Sequence, residues 1–253
     1  TFLTLLGIII GVLTIIAALS IIQGSNNNVY TKMSFYGAND FSVTKFSRVR
    51  SLKDLREQMK RKDITLDEMY LLRRLCKTCE LVGADTGTSR TVKFGSQSLK
   101  NVEIRGITYL DHIIGSVVEL ERGRHLLKED EDRSRFVCVI GPDIVEKLFP
   151  YLDPLGKWIK VGTDNFLVVG IAQKKGKLLG MSQDNFVRIP ITTFQKIYGL
   201  RRTLSLNIHT SSQEQMKLAQ EEVRTILRSK RHRTFNEPDD FAFQTSETFI
   251  QFY

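Results

Sequence analysis

Residues 136–149 read FVCVIGPDIVEKLF. Phe136 to Ile140 is a short, nearly continuous apolar run, the pattern of a strand buried on both faces. Gly141-Pro142 breaks it, and Asp143 to Phe149 then spaces its apolar residues as a short helix, with Pro142 near the first turn, where proline is tolerated. Downstream, Trp158–Val161 and Phe166–Ile171 flank the polar turn Gly162-Thr-Asp-Asn165 and read as a hairpin. Asn185–Ile191 is another strand. The expectation is a small α/β unit whose single core holds Val137, Ile140, Leu148, Phe149, Trp158, Val168 and Val169, with Cys138 inside it.

On either side the pattern changes and repeats. Before this unit come a strand-like run at Asp40–Phe46, then Thr65 and Glu68 at capping-box spacing. The helix behind them lines up Met69, Leu72 and Leu75, and strands follow at Leu81–Gly83, Arg90–Phe94 and Asn101–Gly106. After it come a strand at Leu204–His209, a second capping-box pair at Ser211 and Glu214, and a helix with Met216, Ala219, Val223, Ile226 and Leu227 on one face. Arg228, Lys230 and Arg231 close that helix at the negative end of its dipole, and Phe241 and Phe243 mark a last strand. The outer thirds thus share a strand–helix–strand plan, and the middle reads as an insertion bounded near Gly106 and Gly199. Residues 47–63, rich in Lys and Arg, read as an exposed, mobile segment.

Residues 1–22, TFLTLLGIIIGVLTIIAALSII, carry no charge. About 20 such residues span a bilayer core of about 30 Å, whereas the apolar stretch of a signal peptide is shorter and follows a basic flank. A membrane helix is expected, with Gly7 and Gly11 one turn apart as a helix-packing pair. The first charged residue is Lys32, so the net charge of +9 belongs to the polar part. A basic excess serves solubility, or meets anionic lipid or an acidic partner. No nucleic-acid module accompanies it, and a hydrophobic first helix argues against one.

Catalytic constellations are missing. The chain has only 4 histidines, none in an H-E-x-x-H or beside a nucleophile elbow. Glu129–Asp132 lacks the spacing of a calcium loop and reads as a solvated turn. Gly170–Lys177 has the wrong spacing for a phosphate loop. Cys76-Lys-Thr-Cys79 lacks the second pair a zinc site needs. It follows a helix where a redox motif would open one. Two readings stay open, a local disulfide or two buried thiols. No catalytic, cofactor-binding or metal residue is assigned.

The motifs, taken in order, resemble MacB/FtsX-type ABC transporter permeases. They are Leu5–Val12 in the first apolar segment, Gly106-Ile-Thr108, Glu121-Arg-Gly-Arg124, Val139-Ile-Gly141 through Leu148-Phe149, Asp153-Pro-Leu-Gly-Lys157, Phe166–Gly170, Ile189–Thr193 and Asp239-Asp-Phe241. The resemblance implies an α+β fold: a transmembrane helix (1–24), a porter-like βαβ subdomain in two parts (25–106 and 200–253, the latter starting a stalk), and an inserted smaller α/β subdomain (107–199). It implies a multi-pass protein of the inner membrane with its main domain extracytoplasmic. This would be no enzyme in itself, because ATP is bound by an ABC ATPase partner subunit or domain. The other implied partners are a second permease copy, a periplasmic adaptor and an outer-membrane channel. The role would be to couple ATP hydrolysis to export from the periplasm. A membrane-anchored sensor or binding ectodomain is the alternative. The C-x-x-C and the basic stretch 47–63 match no motif of the resemblance and leave partner and substrate open.

Overall fold

The structure is a computed structural model that describes residues 2, 7, 11–14, 16, 39–47, 51–114, 118–178, 180–200, 202–234 and 236–245. The chain divides into two units, Thr1–Phe35 and Tyr36–Tyr253. In the first, Gly7, Gly11–Thr14 and Ile16 are helical. Thr14 Oγ1 donates back to the Gly11 carbonyl at 2.9 Å, satisfying its hydroxyl within the helix. A Cβ added at Gly7 or Gly11 would meet nothing within 4 Å. Most of the expected membrane helix at 1–24 lies outside the described residues, and among those described no helix is long and apolar enough to cross a membrane.

The second unit opens with β1 (Asp40–Thr44), α1 (Leu52–Met59), α2 (Leu66–Leu75), β2 (Leu81–Phe94) and β3 (Gln97–Ile107). A 3₁₀ turn (Tyr109–His112), β4 (Leu120–Gly123), α3 (Lys128–Asp132), β5 (Val137–Ile140) and α4 (Pro142–Leu148) follow. Then come β6 (Trp158–Val161), β7 (Asp164–Ala172), β8 (Lys177–Leu178), β9 (Met181–Ser182) and β10 (Phe186–Pro190). The last elements are α5 (Ile191–Tyr198), β11 (Ser205–His209), α6 (Gln213–Lys230) and β12 (Ala242–Thr245).

The outer strands form an antiparallel run in the order β12-β1-β11-β2-β3. Period-2 alternation sends Phe41, Val43, Leu206, Ile208, Val82 and Ala84 to one side. There they meet Met69 and Leu72 of α2 and Ala219, Val223 and Leu227 of α6 in one core. The Thr65 capping box forms as expected. For α6 the N-cap is Ser212, whose side chain accepts from Gln215 N at 3.2 Å. This is one residue beyond the expected Ser211.

The middle strands close on themselves. β3 pairs with β10, β10 with β5, β5 with β7, β7 with β6, and β6 returns to β2. This ring encloses Val92, Ile104, Ile140, Ile159, Phe166 and Val187, with Ile144 and Leu148 of α4 and Phe194 of α5 in the same core. Gly106 lets α5 approach, since a Cβ there would lie 2.4 Å from Phe194 Cβ. Strand pairing runs through all three thirds of the unit, because the long β2–β3 hairpin serves both cores, so the sheet itself marks no boundary at Gly106 or Gly199.

The structure corrects further expectations, among them Leu75, which is exposed and lies outside the core that Met69 and Leu72 enter. Trp158 is 58% exposed, because β6 alternates with Ile159 and Val161 inward and Trp158 and Lys160 outward. Val137 and Val169 pack on the outside of the ring with Ile107 and Leu126, so the expected single core is split between two faces. Residues 52–59 are helical, held by the Ser51 N-cap, whose side chain accepts from Asp54 N at 3.1 Å. The acidic run is helix α3, with Asp130 and Glu131 buried.

Candidate functional site

Candidate functional residues gather around β1 and β12, the first and last described strands of the second unit. β1 and β12 are antiparallel neighbours, with Phe41 opposite Thr245 and Val43 opposite Phe243. Asp40 and Thr245 therefore lie at the same end of one strand pair. β1 also has β11 on its other side, so the incoming strand is held by ladders on both edges.

Ion clamps hold the approach to β12. Asp239 accepts from Arg224 Nε at 3.0 Å and Arg228 Nη1 at 2.6 Å, both on α6. Asp240 lies 3.1 Å from Arg231 Nη1 and 3.5 Å from Arg233 Nη2. Phe241 fills the first core. Arg231 is itself buried and donates to both oxygens of Glu68, from Nε at 2.7 Å and Nη2 at 3.0 Å. Glu68 also accepts Thr65 N at 3.0 Å. The start of α2, the end of α6 and the Asp239-Asp-Phe241 motif thus share one buried charge cluster. Burial works against the Arg231 charge, but Glu68 and Asp240 outweigh it and raise its pKa.

On the sheet face opposite the helices a polar ladder crosses the strands. Ser42 Oγ donates to Asn207 Oδ1 at 2.8 Å, Asn207 Nδ2 to Asp85 Oδ1 at 2.8 Å, and Arg105 Nη2 to Asp85 Oδ2 at 2.6 Å. Arg105 stands opposite Arg188 of β10, and Arg188 Nη1 donates to the buried Asp111 at 2.7 Å. Burial raises the Asp111 carboxyl above its usual range, and Arg188 offsets that only in part. The ladder leads from the incoming strand to the ring. Beside it His112 and His125 stack, with ring centroids 4.6 Å apart. Burial, together with the neighbouring His112 and Arg188, lowers the pKa of His125.

Cys76 and Cys79 form a disulfide with Cα atoms 5.4 Å apart. The loop lies against α6, where the Glu222 carboxylate accepts Lys77 N at 3.0 Å, Thr78 N at 3.0 Å and Thr78 Oγ1 at 2.6 Å. Burial opposes ionisation of Glu222, but these donors outweigh it and hold the carboxyl below its usual range. Elsewhere a cleft of about 440 Å³ opens between α4, the 149–154 loop and β4, with Arg122–Asp153 and Lys174–Glu146 pairs among its lining. Among the described residues no three His, Cys, Asp or Glu side chains gather as a metal site. This arrangement is built to hold strands together and to join elements. Of the residues singled out in the sequence, Cys76 and Cys79 lie on the first core, whereas Gly7 and Gly11 belong to the other unit. The Glu68–Arg231 cluster was not legible, because its partners lie far apart in the chain.

The profile of the MacB-like periplasmic core domain matches residues 1–226. The chain belongs to that family. The pyoverdine export ATP-binding/permease protein PvdT of Pseudomonas savastanoi pv. phaseolicola is 29% identical over 256 residues, which covers 99% of this chain and 37% of that protein. The macrolide export ATP-binding/permease protein MacB of Bdellovibrio bacteriovorus is 24% identical over 232 residues, covering 91% of this chain and 35% of its own length. The chain therefore spans little more than a third of these relatives. In fold it is similar to the periplasmic region of MacB from Actinobacillus actinomycetemcomitans, with a TM-score of 0.70 at 21% identity, over 87% of this chain and 94% of that one. The extracellular domain of the ABC-type transporter YknZ from Gram-positive bacteria gives 0.64 at 18% identity, over 82% and 100%. The mixed α/β character of this MacB-like core domain is thus that of known extracytoplasmic regions. Its Asp239-Asp-Phe241 motif has a physical reading here, as two acids that pin the outgoing strand to α6 and an aromatic that fills the core.

Proposed function

We propose that this chain is the first span and extracytoplasmic domain of a permease subunit in an ABC exporter. In this reading residues 1–24 are the membrane helix and the core domain transmits motion. Residues 25–106 and 200–253 form the porter-like part, and 107–199 the inserted part. ATP is bound and hydrolysed by a partner ATPase subunit or domain, and two permease copies pair. A periplasmic adaptor and an outer-membrane channel complete the path out of the periplasm. The names of the relatives, ATP-binding/permease proteins for export, support the transporter class.

One observation carries the mechanical part, the pairing of β1 with β12 at the end where both connections leave. If two membrane helices pull on these connections together, the strand pair moves as one body and hands the load to α6 through the ion clamps. If they pull apart, the ladder opens from that same end. Buried charge pairs suit this role, since breaking one leaves an uncompensated charge, and intermediate positions are disfavoured.

The test uses the full-length transporter with its ATPase in proteoliposomes. Asp240→Asn and Asp239→Asn are expected to leave basal ATP hydrolysis near wild type while transport falls by about tenfold, the loss of one charged contact worth about 1.4 kcal/mol. Transport at wild-type rate in both folded variants, or no transport by the wild type with any candidate substrate, overturns the reading. A sensor or binding ectodomain would show the latter.

A further inference from the structure

Trp158, the only tryptophan of the chain, stands on the outside of the ring. A lone exposed aromatic is ordinary on a protein surface, but its surroundings are not. β6 turns Trp158 and Lys160 to the same outer side. Across the neighbouring strands one row on that side runs through Ser98 of β3, Lys93 of β2, Lys160 of β6 and Asn165 of β7, each directly opposite the next. Lys93 and Lys160 are both exposed and form a cross-strand pair of like charge, an arrangement that costs stability unless something neutralises it. No acid stands in the row, and neither lysine takes part in an ion pair among the described residues. The outer sheet treats charge differently, since its ladder sets Asp85 against Arg105. The adjoining row pairs Trp158 with the half-buried Leu167, so an apolar step lies beside the two lysines.

We infer that this face docks an extended acidic segment of a partner polypeptide, with a carboxylate between the Lys93 and Lys160 ammonium groups and an apolar side chain on Trp158. The unneutralised lysine pair calls for an anion, and tryptophan is among the residues that most often anchor an interface. Spacing selects a polypeptide among anions. Trp158 and Lys160 are two residues apart on one strand, about 6.6 Å, and an extended chain repeats its side chains on one side at that same interval. A Glu or Asp and an apolar residue two positions from it therefore meet both features at once. A second copy of this face would set lysines against lysines, so the partner surface is a different one.

The experiment reads the fluorescence of Trp158 in the 253-residue chain, held in a neutral detergent. Because the chain has one tryptophan, any change in emission reports this face. The probe is a blocked peptide that alternates serine with glutamate and leucine in turn, so that glutamate and leucine recur on one side when it is extended. A control peptide of the same composition has each leucine directly after a glutamate, on opposite sides. The first peptide is expected to shift the emission to the blue, and high salt to reverse the shift. The control should bind several-fold more weakly. K93Q/K160Q should weaken binding of the first peptide about tenfold, the sum of two exposed charge contacts. Lys160→Glu gives Lys93 an opposite neighbour, so this variant should unfold at a higher temperature than wild type and lose the peptide.

No shift with either peptide, equal shifts with both, or an undiminished shift in K93Q/K160Q overturns the inference. So does a Lys160→Glu variant that still binds, or one that is no more stable than wild type, since the lysine pair would then carry no cost. Bicelles containing phosphatidylglycerol and the acidic polysaccharide polygalacturonate are titrated in parallel. A stronger response to either than to the first peptide would assign the face to lipid or to glycan and overturn the polypeptide reading.

Discussion

The two cores of the second unit are held by different physics. The ring buries aliphatic and aromatic side chains on its inside, and its strands have partners all round. The outer sheet packs its apolar side chains against α2 and α6 on one face. Its other face carries the Ser42–Asn207–Asp85–Arg105 ladder, and its edge carries the clamps around Arg231 and Asp240. Burial is non-directional and degrades gradually, while buried charge networks are directional and fail when one member is lost. A region that must stay folded is suited to the first, and a region that must hold a defined geometry under load is suited to the second.

The largest effect should come from the ring. Phe166 is fully buried and its ring lies 5.4 Å from that of Phe136. Phe166→Ala should cost about 3–5 kcal/mol in denaturant unfolding, and a loss below about 1 kcal/mol would show that the ring interior is loosely filled. Next in size is the outer clamp. Glu68→Ala leaves the buried Arg231 with Asp240 alone and opens the Thr65 capping box, and should cost about 3 kcal/mol, whereas replacing Glu68, Arg231 and Asp240 together with apolar residues should restore part of that loss. Equal losses in the single and triple variants would show that packing, and not charge, holds this corner.

A smaller effect belongs to the disulfide. The Cys76–Cys79 loop is short, so Cys76→Ser with Cys79→Ser should cost about 2 kcal/mol, at the low end for such links. Mass analysis of the unreduced chain should find neither thiol open to alkylation. Glu222 gives this corner a pH dependence. Its folded pKa is depressed, so its contribution is present above the ordinary Glu value of about 4.3 and fades as pH falls through the lower folded value. Glu222→Gln should flatten that acid limb, and an unchanged limb would assign the acid sensitivity to other carboxylates. Trp158→Ala should be the mildest, within about 0.5 kcal/mol. A larger loss would mean that this tryptophan is covered in the assembled protein.

Several elements were legible beforehand for local reasons. The β5–α4 stretch announces itself by an apolar run ended at Gly141-Pro142, and Thr65 with Glu68 marks the start of α2. Trp158 was misplaced because composition shows that a strand is apolar without showing which of its faces meets the core. Asp130 was misread because its partners, Arg124, Arg135 and the Leu127 N–H, become visible only when the turn closes around it. Helix α1 was hidden because its inner side is anchored by hydrogen bonds of Ser47 and Asp54 with Gln58, which no apolar period records.

The sequence by itself determined the apolar character of residues 1–22, the placement of the main helices and strands, and the resemblance to the MacB-like core domain, since these depend on patterns within a few residues of one another. The tertiary structure alone decided that β6 returns to β2 to close the ring, that β1 and β12 are neighbours, and that Glu68 meets Arg231. These are pairings between distant segments. Many registers satisfy the same local alternation, and the choice among them is made by simultaneous burial of both partners, a property of the folded chain and of no single stretch.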